Sequence, residues 1–161
     1  MHGVMGHQDL VSHLKRLAQL DIDAIASYEA AIDRIDVTSV RQELDGFRVD
    51  HVRHVQDLDA LVVAAGAEPV EPKPDLKGAL LKGFTAATSM AGVEAALLAM
   101  LANEELTNHT YASALELPLL PEQRRVVEKN YDDEKRHLAW IKRALRERPW
   151  RAEGRPSAAR P

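Results

Sequence analysis

Two five-residue stretches, DHVRH at residues 50–54 and DEKRH at residues 133–137, share Asp, Arg and His at their first, fourth and fifth positions. Both lie in long segments whose apolar residues recur at alternating steps of three and four, the pattern of an amphipathic helix. The repetition predicts two related helices that carry similar side chains on one face.

The first half of the chain predicts two helices. The first apolar periodic stretch runs from about Gln8 to Asp36, and the second starts near Thr38 or Ser39, either of which could be the N-cap, and ends at Gly66. Because so few residues separate the two helices, we expect them to be antiparallel neighbours.

The second half predicts another pair after a long connection. Residues 67–77, AEPVEPKPDLK, contain three prolines and cannot be helical throughout. Residues 78–92 predict a short helix or the irregular start of the third helix, which continues to about Glu116. Pro121 suits the first turn of a fourth helix that runs to about Arg148. The predicted fold class is therefore all-α, a four-helix bundle of two antiparallel hairpins joined by a long crossover.

Composition supports one helical domain without disulfides. The chain has 161 residues, enough for a single core, and only 4% aromatic residues. We predict a bundle over residues 1–148 and a disordered basic tail over residues 149–161, because residues 142–161 hold seven Lys or Arg against two Glu. Cysteine is absent, so a metal site would have to use His and carboxylate ligands.

Nothing in the sequence predicts a membrane or nucleic-acid partner. The N-terminal residues lack the basic and apolar regions of a signal peptide, and the longest apolar run, AALLAMLA at residues 95–102, is too short to cross a bilayer. We expect a cytoplasmic protein, monomeric or homodimeric. The scattered Arg residues of the tail are weak support for nucleic-acid binding.

The second half of the sequence repeats the first at an offset of 83 residues. The repeat indicates an internal duplication with a pseudo-twofold axis, which would bring the two halves face to face. The matched pairs are Leu14 and Leu97, Leu17 and Met100, Asp21 and Glu104, Tyr28 and Tyr111, Leu44 and Val127, His51 and Glu134, His54 and His137, and Leu58 and Ile141.

Ionisable residues interrupt the apolar seam of every predicted helix. Counting from each hairpin turn at ~1.5 Å per residue places them at one depth, some 20 to 25 Å from the turn. Several such groups in one core layer would cost several kcal/mol unless they were paired or coordinated, and a bound cation removes that cost. The predicted metal ligands are Asp21, His51, His54, Glu104, Glu134 and His137.

This set of residues resembles the metal site of the ferritin-like superfamily, particularly bacterioferritins and rubrerythrins, over roughly residues 8–148. That superfamily builds a di-iron or di-manganese site from one carboxylate on each of helices 1 and 3 and a Glu-x-x-His on each of helices 2 and 4. The resemblance implies that Asp21 and Glu104 are the terminal carboxylates. It also implies that EKRH, with Glu134 and His137, is the helix 4 motif.

The helix 2 motif departs from the family pattern. Its sequence is HVRH, so His51 stands where the family has a metal-bridging Glu, followed by His54. Imidazole does not bridge two metals as a carboxylate does. A single ion, an asymmetric pair of ions, or a ligand role for the neighbouring Asp50 are all consistent with the sequence.

The resemblance implies one or two iron or manganese ions, and zinc is also compatible with these ligands. It implies a non-haem iron ferroxidase or oxidoreductase that oxidises Fe(II) or reacts with oxygen or peroxide. An oxygenase acting on an organic substrate is a further hypothesis. The alternative is a metal-free helical interaction module with a degenerate site, in which Asp21 and Glu104 would pair with Arg53 or Arg136.

Other residues near the layer carry weaker predictions. Glu105 would replace Glu104 if the third helix were rotated by one residue. Tyr28 and Tyr111 could donate hydrogen bonds to the ligand carboxylates or simply pack in the core. Three further histidines near the N-terminus lie outside the predicted layer and are expected to be solvated: His2, His7 and His13.

Overall fold

The computed structural model describes residues 6–75 and 92–153, which contain helices and no strand. A single helical turn, α5 (Trp150–Glu153), follows four long helices. These are α1 (His7–Ile32), α2 (Thr38–Ala64), α3 (Val93–Leu115) and α4 (Pro121–Glu147). The helical segment predicted within residues 78–92 falls almost entirely outside the described residues.

The helices form a bundle of two hairpins. Helix α1 packs along α2, α3 packs along α4, and α1 also packs against α3, whereas α2 and α4 approach each other less closely. This arrangement confirms the predicted all-α fold of two hairpins joined by a long connection. Among the described residues, none of the helices has both the length and the apolar character that crossing a bilayer would require.

The first hairpin turn is longer than its sequence pattern predicts, because α1 ends early. Helix α1 ends at Ile32 and not near Asp36. The Arg41 guanidinium donates hydrogen bonds to the carbonyls of Ile32 at 2.9 Å and Ile35 at 2.8 Å. It thereby satisfies acceptors that the end of a helix leaves unpaired.

Helix α2 begins at Thr38, but the predicted hydroxyl cap does not form. Val37 is the N-cap residue, and no side chain caps the helix. The Ser39 hydroxyl instead donates to Glu153 of α5 at 2.5 Å. The turn α5 lies at the start of the segment, from residue 149 onward, that we predicted to be disordered.

The second hairpin turn matches its prediction. Pro121 is the first residue of α4, and the Gln123 side chain accepts a hydrogen bond from the Leu120 backbone amide at 2.9 Å. Helix α4 ends at Glu147, and Arg148 adopts a left-handed conformation with φ 52°. A proline start and a left-handed end are common helix boundaries.

Two apolar clusters fill the interior. One contains Tyr28, Phe47 and Met100, and the other contains Leu17, Leu58 and Tyr111. Full burial of a large aliphatic side chain stabilises the folded state by about 1.5–3 kcal/mol relative to leaving that side chain exposed. Both members of each related pair are buried, one in each cluster: Leu14 and Leu97, Leu44 and Val127, and Leu58 and Ile141.

Candidate metal centre

All six predicted ligands converge in one polar layer, and each is fully buried with 0% exposure. Ligand atoms of four residues lie within 4.8 Å of one another in each of two overlapping groups. The first group is Asp21, His51, His54 and Glu134, and the second is His51, Glu104, Glu134 and His137. His51 and Glu134, which occupy related positions in the repeat, belong to both groups.

The terminal carboxylates are held by tyrosines of the opposite hairpin. Tyr111 of α3 donates its hydroxyl hydrogen to Asp21 of α1 at 2.6 Å. Tyr28 of α1 donates to Glu104 of α3 in the same way. Both tyrosines are fully buried. The hydrogen-bonding alternative for these tyrosines is therefore the one that the structure shows.

The His51 ring lies between the two terminal carboxylates. Its Nδ1 is 2.7 Å from Asp21 Oδ1, and its Nε2 is 3.4 Å from Glu104 Oε1. A carboxylate can only accept a hydrogen bond, so the ring donates to each carboxylate that it bonds. His51, which lies on α2, therefore contacts an acid on α1 and an acid on α3.

His54 and His137 turn one nitrogen inward and the other toward the gap between α2 and α4. His54 Nε2 donates to Asp133 at 3.2 Å, and His137 Nε2 donates to Asp50 at 3.0 Å. Each bond crosses between the hairpins. The Nδ1 atoms face the layer: that of His54 is 3.1 Å from Glu134 Oε1. A carboxylate that accepts one ring hydrogen fixes the ring orientation and leaves the other nitrogen available to a metal.

Arg53 and Arg136 complete this crossed network at the surface. Arg53 donates to Asp133 across the gap, and Arg136 donates to Asp50 at 2.5 Å. Both arginine side chains are partly exposed, at 37% and 53%. The arginines thus pair with Asp50 and Asp133, and not with the terminal carboxylates as the metal-free alternative supposed.

Glu134 is the least satisfied member of the layer. His51 Nδ1 and His54 Nδ1 lie 3.4 Å and 3.1 Å from its Oε1, yet among the described residues neither Glu134 oxygen has a hydrogen-bond partner of acceptable geometry. Within the same part of the chain, the buried Nδ1 of His137 likewise has none. Leaving a buried polar atom unpaired costs about 1–3 kcal/mol. These atoms face the centre of the layer, where a cation would satisfy them.

Burial and neighbouring charges set the protonation of the acids. Burial raises the pKa of Glu134 to about 7, although His51 opposes this effect. Burial would also raise the pKa of Asp21, but hydrogen bonds and charges from His51 and His54 lower it overall. The pKa of Glu104 is lowered for the same reason, with His51 as its main partner. Asp21 and Glu104 are therefore ionised at neutral pH.

The three histidines differ in protonation. Burial would lower the pKa of His54, but its hydrogen bonds with Asp133 and Asp21 and the nearby Glu134 carboxylate raise it to about 10. The pKa of His51 is raised well above its ordinary value because the charge of Glu134 and its carboxylate bonds outweigh burial. Burial lowers the pKa of His137, against the effect of Asp50. Without a metal, protons on His51 and His54 therefore balance the carboxylates.

The remaining candidates lie away from the layer. Glu105 is exposed, and its carboxylate is 3.9 Å from Lys142. His7 and His13 bond the Ala65 carbonyl and Arg16. His2 lies outside the described residues. Glu104, and not Glu105, faces the layer.

Sequence reasoning missed the roles of Asp50 and Asp133. Both residues stand at the first position of the repeated pentapeptides, and both bond a histidine of the opposite hairpin. The shared Asp and Arg of DHVRH and DEKRH were the available signal. The crossed pairing appears only once α2 and α4 are placed side by side.

The fold is similar to a solved structure. That crystal structure is of a two-domain protein from Anabaena variabilis containing DJ-1/ThiJ/PfpI-like and ferritin-like domains. The TM-score is 0.73 at 11% sequence identity, and the alignment covers 99% of this chain and 41% of that chain. This chain thus spans less than half of the neighbour, and the likeness shows a ferritin-like fold.

Sequence comparison gives a family without a stated activity. A family model described as "Domain of unknown function (DUF2383)" matches residues 9–117. No curated protein matches the sequence.

Proposed function

This chain belongs to the DUF2383 family, and we propose that its ferritin-like bundle binds iron or manganese through the six residues of the polar layer. The observation that carries the proposal is that both Glu134 oxygens and the Nδ1 of His137 are buried without a hydrogen-bond partner among the described residues. Buried charges and dipoles are retained at this cost chiefly where they are paired or bind a metal.

The donor set fits a hard or borderline divalent cation. Three carboxylates and three imidazoles, with no thiolate, suit iron and manganese and are compatible with zinc. Asp21 with His54, and Glu104 with His137, would supply ligands on the two sides of the layer. Glu134 has an oxygen for each side.

The residues around the six candidate ligands determine which ligand atoms are free to bind a metal. Asp50 and Asp133 orient His137 and His54 so that their Nδ1 atoms face inward. Tyr111 and Tyr28 each occupy one oxygen of a terminal carboxylate. Apolar clusters lie on either side of the layer, and its six side chains are fully buried. Bound iron would supply one-electron chemistry with oxygen or peroxide, and we infer Fe(II) oxidation or peroxide removal, of the bacterioferritin or rubrerythrin type, as the activity.

Metal analysis tests the binding proposal. Purified protein is stripped with chelator and reconstituted with Fe(II) without oxygen, or with Mn(II), and its metal content is measured. We expect bound metal in the natural sequence and almost none in a Glu134→Ala, His137→Ala variant. Glu105→Ala, His109→Ala is the matched control because both residues are exposed on α3. Equal, near-zero metal in all three proteins would overturn the proposal.

Two further measurements separate the activity from the rival hypothesis. Fe(II)-dependent oxygen consumption should follow the metal content of the variants. A bound metal should also raise the melting temperature by mass action, so chelator should lower it. A metal-free interaction module would have the same melting temperature with and without chelator.

A further inference from the structure

The two halves of the layer differ at a second pair of related positions. Phe47 on α2 corresponds to Asn130 on α4 at the 83-residue offset. Phe47 stacks on His137 with ring centroids 4.3 Å apart and meets Tyr28 edge to face at 6.3 Å. The apolar Phe47 ring therefore packs against the side of the layer that contains Tyr28 and His137.

The other half has a buried amide in place of that ring. Asn130 is fully buried and lies four residues before Glu134 on the inward seam of α4. The 83-residue repeat relates Tyr28 and Phe47 to Tyr111 and Asn130, so Asn130 stands on the Tyr111 side of the layer as Phe47 stands on the Tyr28 side.

Neither polar atom of the Asn130 side chain has a hydrogen-bond partner within the described part of the chain. The Tyr111 hydroxyl hydrogen is already donated to Asp21. Asn130 therefore offers a donor, Nδ2, and an acceptor, Oδ1, one helical turn from the predicted ligand Glu134. A buried amide left unpaired in this way costs about 1–3 kcal/mol for each group. Leucine, which has a similar volume and no polar atoms, would avoid that cost.

We propose that the Tyr111 and Asn130 side of the layer binds a small hydrogen-bonding ligand, such as water or a small anion, against the metal. This inference rests on the proposed function, because the ligand would bind beside the metal that the six residues would hold. Asn130 Nδ2 donates to the ligand, and Oδ1 accepts from it if it carries a hydrogen. Phe47 offers neither interaction on the opposite side.

The test uses azide as the probe and the full chain loaded with Co(II), whose visible spectrum changes when a ligand joins the metal. Asn130→Leu should weaken azide binding about tenfold, the loss of roughly 1.4 kcal/mol expected for one hydrogen bond. Asn130→Ser, which keeps a donor and an acceptor, should bind azide more tightly than Asn130→Leu. Co(II) content should be the same in all three proteins.

Phe47→Leu is the matched control on the related position. We expect its azide affinity to stay within about twofold of the natural sequence, since no hydrogen bond is lost. An equal loss of azide affinity in Phe47→Leu and Asn130→Leu, or no loss in Asn130→Leu, would overturn the inference. Asn130→Leu should unfold at the same or a higher urea concentration without metal, so loss of folding would not imitate the effect.

A crystal structure of the metal-free protein separates this inference from the metal proposal. If the natural sequence takes up no Co(II), the proposed function fails, and the density beside Asn130 then decides the ligand pocket. An ordered water bonded to the Asn130 amide would support the pocket. An amide that bonds neighbouring protein groups would refute it.

Discussion

His137 of α4 donates its Nε2 hydrogen to Asp50 of α2, 3.0 Å away, so a carboxylate of the first hairpin orients a histidine of the second. Asp133 and His54 make the reciprocal bond at 3.2 Å. Partners of this kind, bonded to the far nitrogen of a ligand histidine, commonly change metal affinity by about 10- to 100-fold.

Asp50→Asn and Asp133→Asn should each weaken Mn(II) or Co(II) binding by about 10- to 100-fold, because the histidine ring loses its anionic partner. Isothermal titration calorimetry measures the effect. Asp132→Asn is the control, since Asp132 is exposed and pairs only with Lys135 among the ion pairs described. Unchanged affinity in Asp50→Asn would show that the crossed bond does not tune the site.

Tyr111→Phe should destabilise the metal-free protein by about 1–3 kcal/mol, because a buried oxygen of Asp21 loses its donor. Urea unfolding followed by circular dichroism measures the change. Tyr131→Phe, at a partly buried tyrosine beside Lys135, should change stability by less than about 0.5 kcal/mol. If the two variants unfolded alike, the Tyr111 bond would have no net stabilising effect.

The metal-free protein should lose thermal stability as the pH rises from about 7 to 10. The pKa of His54 is about 10 in the folded protein against an ordinary 6.5. A base with a raised folded pKa contributes its full stability below the ordinary value and loses it as the pH passes the folded value. Calorimetry in the presence of chelator checks the slope.

His54→Gln should flatten this pH dependence. His109→Gln, at an exposed position of α3, should keep it. Burial raises the pKa of Glu134 to about 7, so Glu134 acts in the same direction at lower pH: its contribution falls between about 4.5 and 7. A natural sequence whose melting temperature stayed constant above pH 7 would contradict the assigned His54 contacts.

We expect one metal ion per chain in the natural sequence and two in His51→Glu. Both four-residue groups include His51 and Glu134. A carboxylate has two oxygens and can serve both groups, whereas a neutral imidazole has one lone pair and can serve only one. Metal content measured by mass spectrometry distinguishes the cases. Two ions bound to the natural sequence would contradict this limit.

Much of the fold could be predicted because its signals are local or periodic. The seam of α4 and the proline at its start predicted that helix correctly, and the 83-residue repeat predicted which side chains share a layer. The end of α1 was predicted too late because the Arg41 side chain of α2 bonds the carbonyls of Ile32 and Ile35 in the turn. Helix periodicity contains no information about such a contact.

The candidate site likewise combines features that residue spacing predicts with features that depend on how the hairpins pack. Spacing placed Asp21 and Glu104 at one depth, since rise per residue is constant along a helix. It could not show that Tyr28 bonds Glu104 of the other half, or that Asn130 has no hydrogen-bond partner among the described residues. Those properties depend on how the hairpins face each other. The metal role of the six residues stays a prediction.

The crossed tyrosine bonds have a consequence for how the layer is assembled. Each hairpin contributes an acid but not the hydroxyl that holds it, because Tyr111 serves Asp21 and Tyr28 serves Glu104. Neither hairpin on its own can therefore hold its acid in this way, and the layer takes shape only when the two dock. A half-length chain with this pattern would have to pair with a second copy of itself to make equivalent bonds.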